Sequence, residues 1–469
     1  MSDNASPTTT DAPASPTPSK RRVVWIAVAA VVVLALVVGA IIWAQAPHPP
    51  CCSEPTPTLA PSSPTPTPQP TPTPTMSTPQ WSVKPLWQLS LNGSNIDQFK
   101  AVTVAPDGSV YAVGLTASND QDFAGSHVTG DDTYGKNDAV AAKFTASGEK
   151  VWVKTFGGTG NDHFDAVAVA PDGSIVVSGY TDSTDGNLIT TSNTGTNTAL
   201  VAKISADGDL VWATSVGDNS WAILFGVTTA ADGSVYAVGD GISDNAGGFG
   251  VAAKLTADGK VVWAKTYGSF GVDFWAVAAA PTGGVVIGGD TAAAQGSLQK
   301  DPNTPKNQDD GLMVKLGGDG TMAWHKNFPG ADGDNLTLNA VAIAPDGGYI
   351  ATAGGLIVRT TATGEVTSQN NAATMTTSAP VGLAVLPDGS IILGNAALSS
   401  GAKVVTSVVQ LDADTNQLWA TGMNNAPGVP YVILRDVAAT ADGMVVAVGV
   451  IMGTEATDQD AFAVAFKIA

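Results

Sequence analysis

The sequence predicts an all-β protein, a seven-bladed β-propeller set behind one transmembrane helix and a Pro/Thr-rich stalk. The stretch Asp165–Gly217 holds four short apolar runs, paired into hairpins by Pro171-Asp172-Gly173 and Ala206-Asp207-Gly208-Asp209. Four strands at a period of about fifty residues describe one propeller blade. The unit recurs through almost all of the chain after Trp81, and a single uncharged run lies before it.

Residues 1–22 are polar, rich in Ser, Thr, Pro and Asp and without periodicity, a composition that cannot bury a core. They are expected to form a disordered cytoplasmic tail. The tail ends in Lys20-Arg21-Arg22, and residues 23–43 (Val23–Trp43) carry no charge. A helix of this length spans roughly 30 Å, the thickness of the hydrocarbon core, with Trp25 and Trp43 near opposite interfaces. The next positive charge after the span is Lys84, so the positive-inside rule puts the N-terminus in the cytoplasm and everything after Trp43 outside. The rival reading is a cleaved signal peptide ending at Ala44-Gln45-Ala46. The apolar run is longer than the roughly 7–15 residues of a signal core, and Pro47 would follow the cut.

Residues 44–80 form an extracytoplasmic linker in which Pro and Thr alternate, a composition that favours extended polyproline II. Cys51 and Cys52 are its only cysteines and those of the whole chain. Adjacent Cα atoms lie about 3.8 Å apart, too close for an unstrained disulfide, so a bond between two chains through Cys51 or Cys52 is a candidate alongside two idle thiols.

Residues 81–469 hold the repeats. Seven hairpins, Ala101–Gly114, Ala166–Gly179, Gly226–Gly239, Ala276–Gly289, Ala340–Gly354, Gly382–Gly394 and Val437–Gly449, supply first and second strands. Their near-continuous Val and Ala suit strands buried on both faces. Third strands such as Ala139–Thr145, Leu200–Ser205, Val251–Thr256 and Leu312–Leu316 follow. Trp152, Trp212, Trp263, Trp324 and Trp419 open fourth strands, where an indole would fill the space between splayed sheets. The fifth repeat, near Val366, lacks this tryptophan and the long insert, and is expected to be the irregular blade. The last repeat stops at its third strand, Ala461–Ile468, while a spare fourth strand, Trp87–Leu91, precedes the first. Pairing the two closes the ring.

The segment Thr133–Thr184 resembles the bacterial β-propeller repeats known as SBBP repeats: a Trp, a Gly-rich turn with Asn-Asp, an Ala-Val run, an Asp-Gly turn, a V-x-G-x-T strand and a D-A-F-V-A-K strand. The resemblance runs from Trp87 to about Trp324 and returns in Asp460–Lys467. It implies the propeller fold and an extracytoplasmic location, and brings no catalytic residue. The spacing Ala142–Gly148–Trp152, repeated at Ala202–Gly208–Trp212, is also similar to the tryptophan-docking motif of quinoprotein dehydrogenases. The motif's Asp is replaced by Phe144, Ile204 and Leu255, and those enzymes usually have eight blades. The spacing is therefore read as blade mechanics.

The net charge is -20, with a pI near 4.3, which argues against nucleic acid as a partner. No GxSxG, HExxH, Walker loop or CxxC pair follows Trp81. His127, His163 and His325 fall in different repeats. Lys143, Lys203, Lys254, Lys315 and Lys467 recur in third strands and read as structural ion pairs or rim residues. Tight turns join strands one to two and three to four, so all long loops fall on the other face and carry most of the acid. Asp120, Asp122, Asp131, Asp132 and Asp138 cluster in the longest, a candidate Ca²⁺ site of hard oxygen ligands without EF-hand spacing. The expected function is a cell-surface binding or adhesion module whose long-loop face takes a protein, a glycan or a cationic ligand. The alternatives are an extracytoplasmic propeller enzyme, quinoprotein-like or lyase-like, and a structural envelope protein. For the enzyme, the first strands expected to line the channel offer mostly Ala and Val. Mass spectrometry of the membrane-bound protein should find residues 1–22 still attached; a mature start near Ala46 would refute the uncleaved anchor.

Overall fold

The computed structural model describes residues 81–128, 136–190, 197–217, 221–243, 247–305, 308–330, 335–353, 355–371, 380–398, 404–424, 431–453 and 459–468. The tail, the apolar run, the linker and both cysteines lie outside these residues. No helix among the described residues is long and apolar enough to cross a membrane.

Among the described residues, twenty-eight strands form seven four-stranded antiparallel sheets, each built from consecutive strands except the last. Blades 1 to 7 begin with the first strands Asp97–Val104, Asp162–Val169, Trp221–Thr229, Val272–Ala279, Ala340–Ile343, Pro380–Val385 and Tyr431–Ala439, and these seven strands line a central channel. Seven clusters of buried apolar side chains lie one at each blade-to-blade contact. Strands buried on both faces follow from this, as in Val110–Thr116, where every residue is buried.

Blade 7 is completed as its chain ends require. Trp87–Leu91 pairs antiparallel with Gln459–Lys467, from Trp87 opposite Ala465 to Leu91 opposite Ala461. Asp436 adds a polar tie at this seam: its Oδ2 accepts from the Val102 amide of blade 1 at 2.9 Å, and its Oδ1 from the Val437 amide at 2.8 Å. Trp81 extends the closure by packing edge-on against Phe466, with ring centroids 5.0 Å apart, while the Ser82 amide donates to the Gly422 carbonyl of blade 6 at 3.0 Å.

Four fourth-strand tryptophans dock on the next blade in the same way. The indole N–H donates to a turn carbonyl there: Trp87 to Ala146 at 3.0 Å, Trp152 to Ala206 at 3.1 Å, Trp212 to Ala257 at 3.2 Å and Trp263 to Gly318 at 3.0 Å. The ring covers that turn's glycine, which has positive φ. Gly259, at φ +82°, could not carry a Cβ without bringing it to 2.6 Å from Trp212. Where blade 5 has Ser368, opposite Arg359, in place of Trp, the facing turn of blade 6 has Thr415 at φ 67° in place of Gly. The same contact has the smallest of the seven apolar clusters. The missing indole thus explains why a side chain is tolerated in that turn.

The third-strand lysines divide between the two expected roles. Lys203 pairs with Asp172 at 2.7 Å and Lys467 with Asp442 at 3.0 Å. Lys143 and Lys254 lie over the rings of Tyr111 and Tyr236, and Lys315 donates to the Gly283 carbonyl at 2.8 Å.

Buried carboxyls clamp the long loops. Asp97 accepts from Thr116 at 2.5 Å and Ser118 at 3.0 Å, and burial pushes its carboxyl up to about 8. Burial likewise pushes Asp436 up to about 7. Such a carboxyl binds more protons folded than unfolded, so its contribution is fullest below about pH 4 and is lost as pH rises through its folded pKa.

Two predictions follow from these contacts. In chemical denaturation Gly259→Ala should cost about 1–3 kcal/mol from backbone strain alone, while Thr415→Gly should be neutral or stabilising; equal losses in both would refute the docking account. At an ionic strength that screens net-charge repulsion, the melting temperature should be lower at pH 8.5 than at pH 5.5, and Asp97→Asn should narrow the gap. An unchanged gap in that variant would remove Asp97 from the explanation.

Candidate functional site: the bulge ring of the channel

A β-bulge interrupts the first strand of six blades. Register shifts fall between Phe99 and Ala101, Phe164 and Ala166, Leu224 and Gly226, Phe274 and Ala276, Pro380 and Gly382, and Leu434 and Asp436. In five of these blades the second strand carries a glycine opposite the bulge, and in blade 6 it carries Asn395. A Cβ at Gly114 would sit 1.9 Å from the Gln98 carbonyl oxygen, and the same approach recurs at Gly179, Gly239, Gly289 and Gly449. Blade 5 has Ala353 at this position, and the ladder between its first two strands ends before it, at Ala340 opposite Thr352. A bulge leaves one residue unpaired and re-aims its side chain. Here the unpaired residues are Lys100, Asp165, Phe225, Trp275, Val381 and Arg435, and together with Asn339 of blade 5 they border a channel of about 510 Å³. Below the ring the lining is the Ala, Val, Gly and Thr expected from the sequence. The expectation that the channel offers little but Ala and Val is corrected at the ring itself.

Three groups occupy the ring. On blades 1 and 2, Lys100 Nζ lies 2.5 Å from Asp165 Oδ1 and 3.2 Å from His163 Nδ1. The ammonium can only donate, so Nδ1 accepts and Nε2 carries the proton. Nε2 lies 3.4 Å from the Tyr180 hydroxyl and from Asn137 Nδ2. Burial, then the Lys100 charge, pushes His163 down to about 2, so the ring stays neutral. Burial also raises Tyr180, against deprotonation. A neutral histidine with one nitrogen on a cation and the other on a phenol is a poor proton carrier; the cluster holds Lys100 and Asp165 in place.

On blades 3 and 4, Phe225 and Trp275 stack with centroids 4.5 Å apart and planes 27° apart. The indole N–H of Trp275 donates to Asp290 Oδ2 at 3.1 Å, and Thr337 donates to the same oxygen at 2.7 Å. Burial and the nearby Asp273 and Asp309 push Asp290 up to about 7. On blade 7, Arg435 lines the channel, where water reaches it although protein surrounds most of it. No carboxylate among the described residues pairs with it.

Three carboxylates of the acidic loop lie among the described residues. Asp120 Oδ1 accepts from the Ser94 amide at 3.0 Å. Asp122 Oδ2 accepts from the Asn92 amide at 3.0 Å, and its other oxygen pairs with Lys150. Asp138 is buried at the start of a third strand, its Oδ2 accepting from the His127 amide at 2.6 Å, and burial raises its pKa. These three clamp the loop to blade 1. Asp131 and Asp132 lie outside the described residues, and no group of three or more metal-ligating side chains comes together among the described ones.

The ring was missed in the sequence although a signal exists. Aligned on the bulge, the repeats read Phe/Leu, variable, small, Val/Leu: Phe99-Lys100-Ala101-Val102, Phe164-Asp165-Ala166-Val167, Phe274-Trp275-Ala276-Val277, Leu434-Arg435-Asp436-Val437. The variable column, set between near-constant neighbours, is the ring.

No protein-family model matches the chain, and no curated protein matches it. Among solved structures it is similar to a protein of unknown function from Bacteroides caccae, at 13% identity over 61% of this chain and 90% of that one, with a TM-score of 0.40. It is similar to YCF48 bound to D1 peptide, at 11% identity over 84% and 98%, with a TM-score of 0.38. It is also similar to the extracellular domain of the hybrid two-component system BT4673 from B. thetaiotaomicron, at 11% identity over 84% and 43%, with a TM-score of 0.41. The seven-bladed assignment rests on the sheets themselves.

Proposed function

We propose that the chain is a membrane-tethered, extracytoplasmic propeller of the SBBP kind that acts as a binding module, with its ligand seated at the bulge ring among the acidic long loops. The observation that carries this reading is the ring. Chemically distinct side chains replace one another at the single position of each first strand that a bulge turns into the channel, while the flanking positions keep the blade packed. A purely structural propeller has no use for that variety. Small-molecule and peptide sites commonly combine an apolar wall with a few fixed polar groups, and this channel has both. Tethering is supported by Lys20–Arg22 ahead of the uncharged Val23–Trp43, and the Pro/Thr linker supplies reach.

The enzyme reading is weaker on a specific point. His163 and Tyr180 meet behind Lys100 and do not themselves line the channel; the histidine stays neutral and both of its nitrogens have neighbours at hydrogen-bonding distance. None of the ring residues is a Ser, Thr or Cys nucleophile.

Arrays of glycans, peptides and small metabolites probed with the full-length protein in detergent should return at least one ligand that Trp275→Ala loses at least tenfold. A ligand bound equally by this variant would move the site elsewhere, and an empty array would count against a binding module.

A further inference from the structure

Resting on the binding-module reading, we infer the ligand's class: a small monocarboxylate with one flat, weakly polar face, its carboxylate on Arg435 and its face on the Phe225–Trp275 pair. Charge balance within the ring is the first support. Lys100 is neutralised by Asp165 at 2.5 Å. Asp436, next to Arg435 in the chain, is turned away and spends both oxygens on the amides of Val102 and Val437. Arg435 therefore leaves one positive charge in the channel with no carboxylate partner among the described residues, inside a protein of net charge -20. A planar guanidinium in a partly enclosed lumen matches a carboxylate bidentately and strongly.

The surrounding charge limits what that anion can be. Acidic loops repel an extended polyanion over a Debye length, whereas a monoanion small enough to pass them meets Arg435 at close range. Sulfated polymers and nucleic acids are excluded by the same field. A channel of about 510 Å³ lies within the usual range for small-molecule pockets.

The aromatic pair supplies the second contact. Trp275 is fixed by its bond to Asp290, which Thr337 holds in turn, so the platform exists before the ligand arrives and little side-chain entropy is lost on binding. In ring order the pair occupies blades 3 and 4 and Arg435 occupies blade 7, so the two contacts meet a ligand from different sides. Asn339, on the blade next to Trp275, adds an amide that can donate or accept. A flat face beside a carboxylate is common to aromatic acids and to uronate sugars.

The test titrates the full-length protein in detergent with sodium indole-3-acetate, sodium benzoate and sodium glucuronate, each against a neutral counterpart, tryptophol, benzyl alcohol or glucose, followed by saturation-transfer NMR and calorimetry. At least one carboxylate should bind tenfold or more tightly than its counterpart; the aromatic acids alone or glucuronate alone would identify the source. Arg435→Met should remove that preference, and Arg435→Lys should keep part of it. Asp165→Asn, which leaves Lys100 uncompensated, should tighten carboxylate binding several-fold, an effect that misfolding would not produce. Absence of carboxylate binding, or binding unchanged in Arg435→Met, overturns the inference. If the arrays meanwhile return a neutral or cationic ligand that Trp275→Ala loses, the ligand class is wrong and the binding module stands.

Discussion

The close approach of a first-strand carbonyl to a second-strand glycine is the constraint on which the channel depends. At Gly114 the distance leaves no room for a Cβ, and the same holds at Gly179, Gly239, Gly289 and Gly449. In these five blades the missing side chain makes room for the first strand to buckle inward at the bulge. A strand made for packing thereby also presents a side chain to the lumen. Blades 5 and 6 lack the glycine: Ala353 stands there in blade 5, whose first ladder ends at Ala340 opposite Thr352, and Asn395 stands there in blade 6, which keeps the bulge.

A second close approach, at the rim, turns separate sheets into a ring. An indole lying on a turn glycine of the next blade joins neighbours that otherwise meet only through apolar side chains. Its N–H is satisfied by a carbonyl that the tight turn leaves without a strand partner. The pairing is read from both ends of the contact: Ser368 in place of Trp and Thr415 in place of Gly are one change, not two. Trp419 makes a different contact. It packs on Phe466, which Trp81 flanks from the other side.

Most of the fold was legible because it is repeated. Seven hairpins, the Trp positions and the spare strand at Trp87–Leu91 are statements about period, and a periodic signal survives local exceptions. The lining of the channel was not legible for the converse reason. Arg435, Trp275 and Lys100 look like noise in a repeat read for its regularities, and their common direction depends on a bulge that no single blade announces. The acids carry a different lesson. Asp120 and Asp122 are close in sequence and suggest a shared cation, yet backbone amides at Asn92 and Ser94 take one oxygen from each. A run of carboxylates in a long loop has two uses, and only the position of a second loop tells them apart.

Charge is layered along the channel axis, and this bears on how such a site could select. The loops are acidic, the ring balances Lys100 against Asp165 and leaves Arg435 over, and the lumen below is lined by Ala and Val. A ligand arriving from solvent meets repulsion before attraction if it is anionic, so its on-rate is lower and more salt-dependent than that of a neutral molecule. Once inside, its carboxylate is shielded from bulk water and the same Arg435 contact gains strength from the lower local dielectric. Slow entry with strong retention favours a small ligand carrying a single charge, because each added charge is repelled by every loop while only one guanidinium waits below. Selectivity in this arrangement comes from the order in which opposite fields are met, and that order is set by which strand ends carry the long loops.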